Sequence, residues 1–163
     1  SIVLGARQSF RHFYSGALRS FAVNALGNEP MEMNADGRQL RDFVHVKDVA
    51  SAILKTLEDS RANFGVFNVG SGRATRIFDL GKIVAKQSKV VFKPSLQNRY
   101  RAGGTRHSVM NISKLKSLGW KPKHTLKEAV ADYIGWLSNF KGFSKNLRKT
   151  EEKMRKSGIL KKY

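Results

Sequence analysis

Apolar and polar positions along this chain alternate in some stretches and recur at helical spacing in others. Residues 1–4, Ser-Ile-Val-Leu, are an apolar run that predicts a buried β-strand. A basic, aromatic loop follows. Ser15 then predicts the cap of a helix to about Leu26, with Leu18, Phe21, Ala22, Ala25 and Leu26 on its inner face. Gly27-Asn28 closes that helix and Pro30 prevents its continuation. Alternation in "RDFVHV" (41–46) predicts a strand with Phe43 and His45 on one face and Val44 and Val46 on the other. Asp48 is then expected to cap a helix to about Leu57, with Val49, Ala52, Ile53 and Leu57 inward.

"VFNV" (66–69) predicts another strand, and Thr75 the cap of a helix over 76–87 with an apolar stripe of Ile77, Leu80, Ile83 and Val84. "VVFKP" predicts a short strand stopped by Pro94, and Ser113 the start of a brief helix ending at Gly119-Trp120. Thr125 with Glu128 makes a capping box, so a helix over 126–137 follows, with Ala129, Val130, Tyr133, Ile134 and Leu137 inward. Strands alternating with helices predict an α/β fold. Residues 1–140 carry this pattern, and 141–163 are predicted to be a basic, partly helical tail with a weak apolar face. The chain opens in what reads as the inside of a buried strand, so it is expected to be the later part of a longer protein. The first strand and the helix after "RDFVHV" are then expected to expose apolar faces when the rest of the sheet does not cover them.

Composition narrows the class. With 163 residues, 40% of them hydrophobic, the chain suits one soluble domain or one piece of a larger one. No apolar run approaches the length of a membrane span, so no membrane insertion is expected. Zero cysteines remove disulfides and thiolate metal sites, fit a cytoplasmic location, and with four scattered histidines predict no metal. The net charge is +19, of which the nine Lys/Arg and two Glu from Lys141 onward supply +7. Such a field attracts nucleic acid and phosphorylated metabolites alike.

Three segments carry candidate chemistry. "VFNVGSGRAT" (66–75) has the outline of a phosphate loop, but the third glycine of a dinucleotide fingerprint is replaced by Thr75 and no acid follows near 87–91. It reads as a strand-to-helix turn that borders a ligand. In "DGRQLRDFVHVKDVA" (36–50), Arg41 stands at the entrance of a strand. It either clamps a phosphate with paired hydrogen bonds or forms a structural ion pair with Asp42 or Asp48. "NRYRAGGTRH" (98–107) gathers Arg99, Arg101, Arg106 and His107, either around a diphosphate or as a solvated basic loop. No Tyr-x-x-x-Lys pair, nucleophile elbow or Walker loop occurs, so no catalytic residue is assigned.

The segments "GARQSF…YSGAL", "DGRQLRDFVHVKDVASAIL", "VFNVGSGRAT" and "RAGGTRHSVMNISKLKSLGWKPKHTLKEAV" together resemble the C-terminal half of the nucleotide-sugar epimerase/dehydratase family of extended short-chain dehydrogenases, across about residues 1–138. Within it, "RAGxxRH" looks most like 4-epimerases of UDP- or dTDP-sugars. The resemblance implies the C-terminal part of a Rossmann-like parallel sheet plus a small α/β substrate-binding domain. It implies an isomerase of carbohydrate metabolism that uses NAD held mainly by an N-terminal half, and a homodimer as the full-length enzyme. This chain would bind the substrate and be inactive alone, lacking the cofactor loop and the Tyr/Lys pair. By the same resemblance Arg41, Arg101 and Arg106 hold the nucleotide diphosphate. Glu32, Met33 and Asn34 line the base pocket, and Arg76 lies near the ribose. Departures from the pattern are Ala6 for a proline, Gly104 for an acid that touches the ribose, and Asn111 for an aspartate. The alternatives are a dehydratase or decarboxylase of the same family, or a non-catalytic basic module that stacks nucleic-acid bases on Phe10, Phe13 and Tyr14.

Overall fold

The computed structural model describes residues 1–11, 16–140, 156–158 and 160–162. The expected cap at Ser15, the aromatics Phe13 and Tyr14, and most of the predicted tail lie outside the described residues. The chain order is β1 (Ile2–Leu4), α1 (Gly16–Leu26), β2 (Met31–Asn34), β3 (Leu40–Arg41), β4 (Phe43–His45) and α2 (Val46–Glu58). After a single 3-10 turn come β5 (Thr75–Arg76), α3 (Ile77–Gln87), β6 (Pro94–Gln97), β7 (Arg99–Arg101), β8 (His107–Ser108), α4 (Ser113–Ser117), α5 (Leu126–Leu137) and β9 (Leu160–Lys162).

The architecture is α/β with parallel pairing: β1 with β4, β2 with β6, and β3 with β8. Two antiparallel pairs complete it, β3 with β5 and β7 with β9. The expected inner face of α1 (Leu18, Phe21, Ala22 and Ala25) meets Met31, Met33 and Phe43 of the strands, Leu80 and Val84 of α3, and the full inner stripe of α5. Capping makes α5 start where the sequence says. The Thr125 hydroxyl accepts from the Glu128 amide, and the Glu128 carboxylate accepts from the Thr125 amide at 2.6 Å. A smaller core joins Ala52 and Ala62 to Ile112, Leu115, Leu118 and Trp120. The Trp120 indole N–H donates to Ser51 Oγ at 2.9 Å, which satisfies its one donor.

Several elements depart from the sequence pattern, each for a definite reason. Residues 66–69 do not join a ladder. Their carbonyls are taken by side chains instead, Val66 by Lys114 Nζ at 3.0 Å and Val69 by Ser1 Oγ at 2.6 Å. The strand expected over 90–94 begins at Pro94 and runs to Gln97. Left-handed Lys89 (φ 56°) and a Val90 amide bonded to Ala85 use up the preceding residues in closing α3. Proline is tolerated there because the first strand residue can do without its amide. Thr75 is not the cap of α3. It lies in β5, and the free amides of Ile77 and Phe78 donate to the carbonyls of Gln39 and Gly37. Asp48 is not the cap of α2 either: His45 is, its Nδ1 accepting from the Lys47 amide at 3.0 Å.

The inner face expected for α2 is also wrong in part. Ala52 is buried, but Ile53 and Leu57 are 53% and 77% exposed. With Leu54, Val46, Val3, Phe64 and Val66 they leave an apolar surface that nothing in the described residues covers.

Candidate functional site

A strand places neighbouring side chains on opposite faces, so Arg41 and Asp42 cannot pair with each other. The structure puts them to two different uses.

Asp42 is 1% exposed and turns toward the glycine loop. Its Oδ1 accepts from the Ser71 amide at 2.8 Å and the Ser71 hydroxyl at 2.6 Å, and its Oδ2 accepts from the Gly72 amide at 2.9 Å and the Met110 amide at 3.2 Å. Gly70 is required by contact, since a Cβ there would sit 2.5 Å from Asp42 Oδ2. The loop does cradle an anion, but the anion is the chain's own carboxylate. A dinucleotide pyrophosphate therefore does not fit at residues 70–72, as the missing third glycine indicated.

Arg41 sits on the middle strand of the β5–β3–β8 sheet. Its Nη1 donates to the carbonyls of Leu40 at 2.7 Å and Arg106 at 3.0 Å, and its Nη2 to the Thr105 carbonyl at 2.7 Å. Burial pulls its guanidinium below the ordinary arginine value. These three bonds leave Nε–H and one Nη2–H for another acceptor. Arg41 is thus no partner of Asp48, whose carboxylate instead accepts from the amides of Lys123 and His124, both at 3.0 Å, and from His124 Nδ1 at 2.8 Å.

The loop that Arg41 grips carries Arg106. That guanidinium forms a two-pronged bridge to Asp36, Nη1 to Oδ1 at 2.8 Å and Nη2 to Oδ2 at 2.6 Å. Arg106, with the Arg38 amide, holds the Asp36 carboxyl well below the usual carboxylate range. His107 pairs across from Leu40 in β8, and its Nδ1 accepts from the Leu40 amide at 3.3 Å. Arg76 is exposed at the other side of β3, also opposite Leu40. Arg41 and Arg76 thus belong to one small sheet, with Arg106 just before its third strand. Arg76 is in register with Leu40 and Arg41 with Thr75, however, so the side chains of Arg41 and Arg76 leave on opposite faces.

The remaining residues cluster at β2 and β7. Glu32 and Asn34 share one face of β2, where both engage Arg99: Nη2 reaches Glu32 Oε2 at 2.6 Å and Nε reaches Asn34 Oδ1 at 3.1 Å. Met33 alternates to the opposite face and is 1% exposed in the main core, so it does not join its neighbours. Arg101 lies in β7 opposite Leu160, on the strand that also holds Arg99. Phe10 is committed to the core against Trp136 and Phe140, with ring centroids 5.8 and 5.1 Å away, and is not presented to a nucleic-acid base.

Sequence reasoning missed three participants. Asp36 read only as half of a turn, Asp42 as a partner for Arg41, and Arg99 as one more loop cation. The signal for Asp42 was present: an acid one residue beyond Arg41 must face away from it. Nothing local announces that Asp36 meets Arg106, 70 residues later.

Comparison with known proteins supplies the frame for this geometry. Residues 1–70 match the model of the NAD dependent epimerase/dehydratase family. The dTDP-L-rhamnose 4-epimerase of Burkholderia thailandensis is 33% identical over 137 residues, covering 83% of this chain and 38% of that protein. Among solved structures, the UDP-glucose 4-epimerase of Thermotoga maritima with UDP-glucose is 31% identical with a TM-score of 0.75, over 84% of this chain and 43% of that one. The UDP-N-acetylglucosamine 4-epimerase of Methanobrevibacter ruminantium M1 in complex with UDP-N-acetylmuramic acid is 28% identical with a TM-score of 0.77, over 84% of this chain and 44% of that one. The chain spans less than half the length of each of these relatives.

Proposed function

Because the chain belongs to the NAD-dependent epimerase/dehydratase family, we propose that it supplies the substrate-binding part of a nucleotide-sugar 4-epimerase acting on a UDP- or dTDP-sugar. The observation that carries this reading is Arg41: a partly desolvated guanidinium, locked to the 105–106 backbone, with two N–H groups still to satisfy. A diphosphate matches them in charge and spacing. Arg106 on the tied loop and Arg101 on β7 add further positive charge. Glu32 and Asn34, oriented by Arg99, form the side nearest the base, and Arg76 lies toward the ribose.

In this role the chain's own residues bind and orient. Arg41 fixes the diphosphate and so limits where the attached sugar can lie. NAD, when bound, supplies the hydride acceptor of such a reaction. Its place is assigned mainly to a part of the protein other than this chain, since the Gly70–Gly72 donors are taken by Asp42. The Tyr/Lys pair expected of the family is likewise absent from residues 1–163, and this chain alone is expected to be inactive.

The test is the binding of UDP or a UDP-sugar by the protein and by Arg41→Ala. A dissociation constant raised at least about tenfold, equivalent to about 1.4 kcal/mol, supports the assignment. A change below about twofold removes it.

A further inference from the structure

We propose that Asp36 is a built-in competitor for the diphosphate, a carboxylate that sets how much negative charge a ligand must bring before Arg106 is released to it. The inference rests on reading Arg41, Arg101 and Arg106 as the phosphate-holding set.

The geometry is that of a ligand mimic. Asp36 presents two oxygens in one plane to the two terminal nitrogens of Arg106, at 2.8 and 2.6 Å, the same fork that a phosphate would occupy. Both side chains remain open to solvent, at 44% and 48% exposure, so the head of Arg106 can exchange partners. Its base cannot wander, because Arg41 Nη1 holds the Arg106 carbonyl at 3.0 Å. The site therefore has one cation, Arg41, held by backbone carbonyls, and a second, Arg106, bridged by a tethered anion.

Tethering gives Asp36 an effective concentration in the millimolar range or above, so a ligand that reaches Arg106 with a single anionic group gains little by replacing it. In this proposal a diphosphate wins the exchange because one phosphate takes the place of Asp36 on Arg106 while the other engages the open N–H groups of Arg41, which a single phosphate does not do. Asp36 thus favours nucleoside diphosphates over monophosphates. After exchange it keeps the Arg38 amide, 3.0 Å from Oδ1, as a donor.

The experiment is calorimetric titration of UDP and of UMP into the full chain, Asp36→Asn, Arg106→Gln and the double variant. Asn-Gly supports a tight turn as well as Asp-Gly, so Asp36→Asn should keep the turn at Gly37, which circular dichroism checks. We expect Asp36→Asn to tighten UDP about two- to fivefold, the range an exposed ion pair can supply. UMP should gain at least as much, so the preference for UDP falls. At least half of the gain should disappear in the Arg106→Gln background. An unchanged or weakened UDP affinity in Asp36→Asn, with Arg41→Ala still weakening it, overturns the competitor and leaves the site reading intact. A gain that persists fully without Arg106 also overturns it, because a general field effect would then suffice. If neither wild type nor any variant binds UDP, the site reading itself fails.

Discussion

The carboxylate of Asp42 lies 2.9 Å from the amide of Gly72, and that contact turns a loop shaped for phosphate into one filled from within. Four donors converge on this one buried side chain, from residues 71, 72 and 110. Through them the glycine loop and the segment after β8 are tied to the junction between β3 and β4, which belong to different sheets. Arg41, the next residue back, inherits its position from that knot.

Replacing Asp42 with Ala should therefore be severe. Three backbone amides would lose their acceptor in a dry site, at about 1–3 kcal/mol for each group left unsatisfied. We expect a loss of at least about 3 kcal/mol in urea unfolding, and about 1–3 kcal/mol for Gly70→Ala, whose Cβ would also meet Met110 Cβ at 2.9 Å. A Gly70→Ala variant as stable as wild type would contradict the contact.

Arg41→Lys separates charge from geometry. An ammonium cannot reach the carbonyls of Leu40, Thr105 and Arg106 together, although it keeps the charge. Amide exchange in the 105–108 segment should accelerate, and UDP affinity should fall about tenfold, nearly as far as in Arg41→Ala. Full retention of affinity in the lysine variant would mean that only the charge matters.

Asp48 predicts the acid limb of stability. Burial raises its carboxyl, but hydrogen bonds from His124 and from the amides of Lys123 and His124 outweigh that, and the net shift is downward. A folded value below the unfolded one, about 3.9, means the stabilisation is present above about pH 4 and is lost as pH falls through the lower folded value. Unfolding free energy measured from pH 6 downward should drop more steeply in wild type than in Asp48→Ala below about pH 4. Parallel profiles would show that Asp48 contributes no such linkage.

Tyr133 offers the opposite case. It is wholly buried, burial drives its phenol strongly upward, and its hydroxyl has no hydrogen-bond partner among the described residues. Tyr133→Phe should then be neutral or stabilising by up to about 1 kcal/mol, since no bond is lost and an unmet polar group is removed. A loss above about 1 kcal/mol in the same urea assay would reveal a bond to that oxygen.

Much of the fold was legible. The inner stripes of α1, α3 and α5, the Thr125–Glu128 capping box and the strand at 43–45 all follow from spacing, because each is settled within one or two helical turns or a short alternation. The failures share a cause as well. Thr75 and Asp48 look like caps, yet α3 borrows carbonyls from residues 37–39 and α2 uses His45, so the local candidate was released for other work. Residues 66–69 have strand composition but no neighbouring strand within the described residues.

The sequence by itself determined the α/β class, the family resemblance and the grouping of arginines in residues 36–50 and 98–107. Those are properties of periodicity and of residue type, which a linear pattern carries. Only the tertiary structure decided which charge meets which: Asp42 with the glycine loop, Arg106 with Asp36, Arg99 with Glu32 and Asn34, and Arg41 with backbone carbonyls. Ion pairs and hydrogen bonds act over a few ångströms, and strand pairing brings together residues 29 to 70 positions apart. No spacing in the chain encodes that proximity.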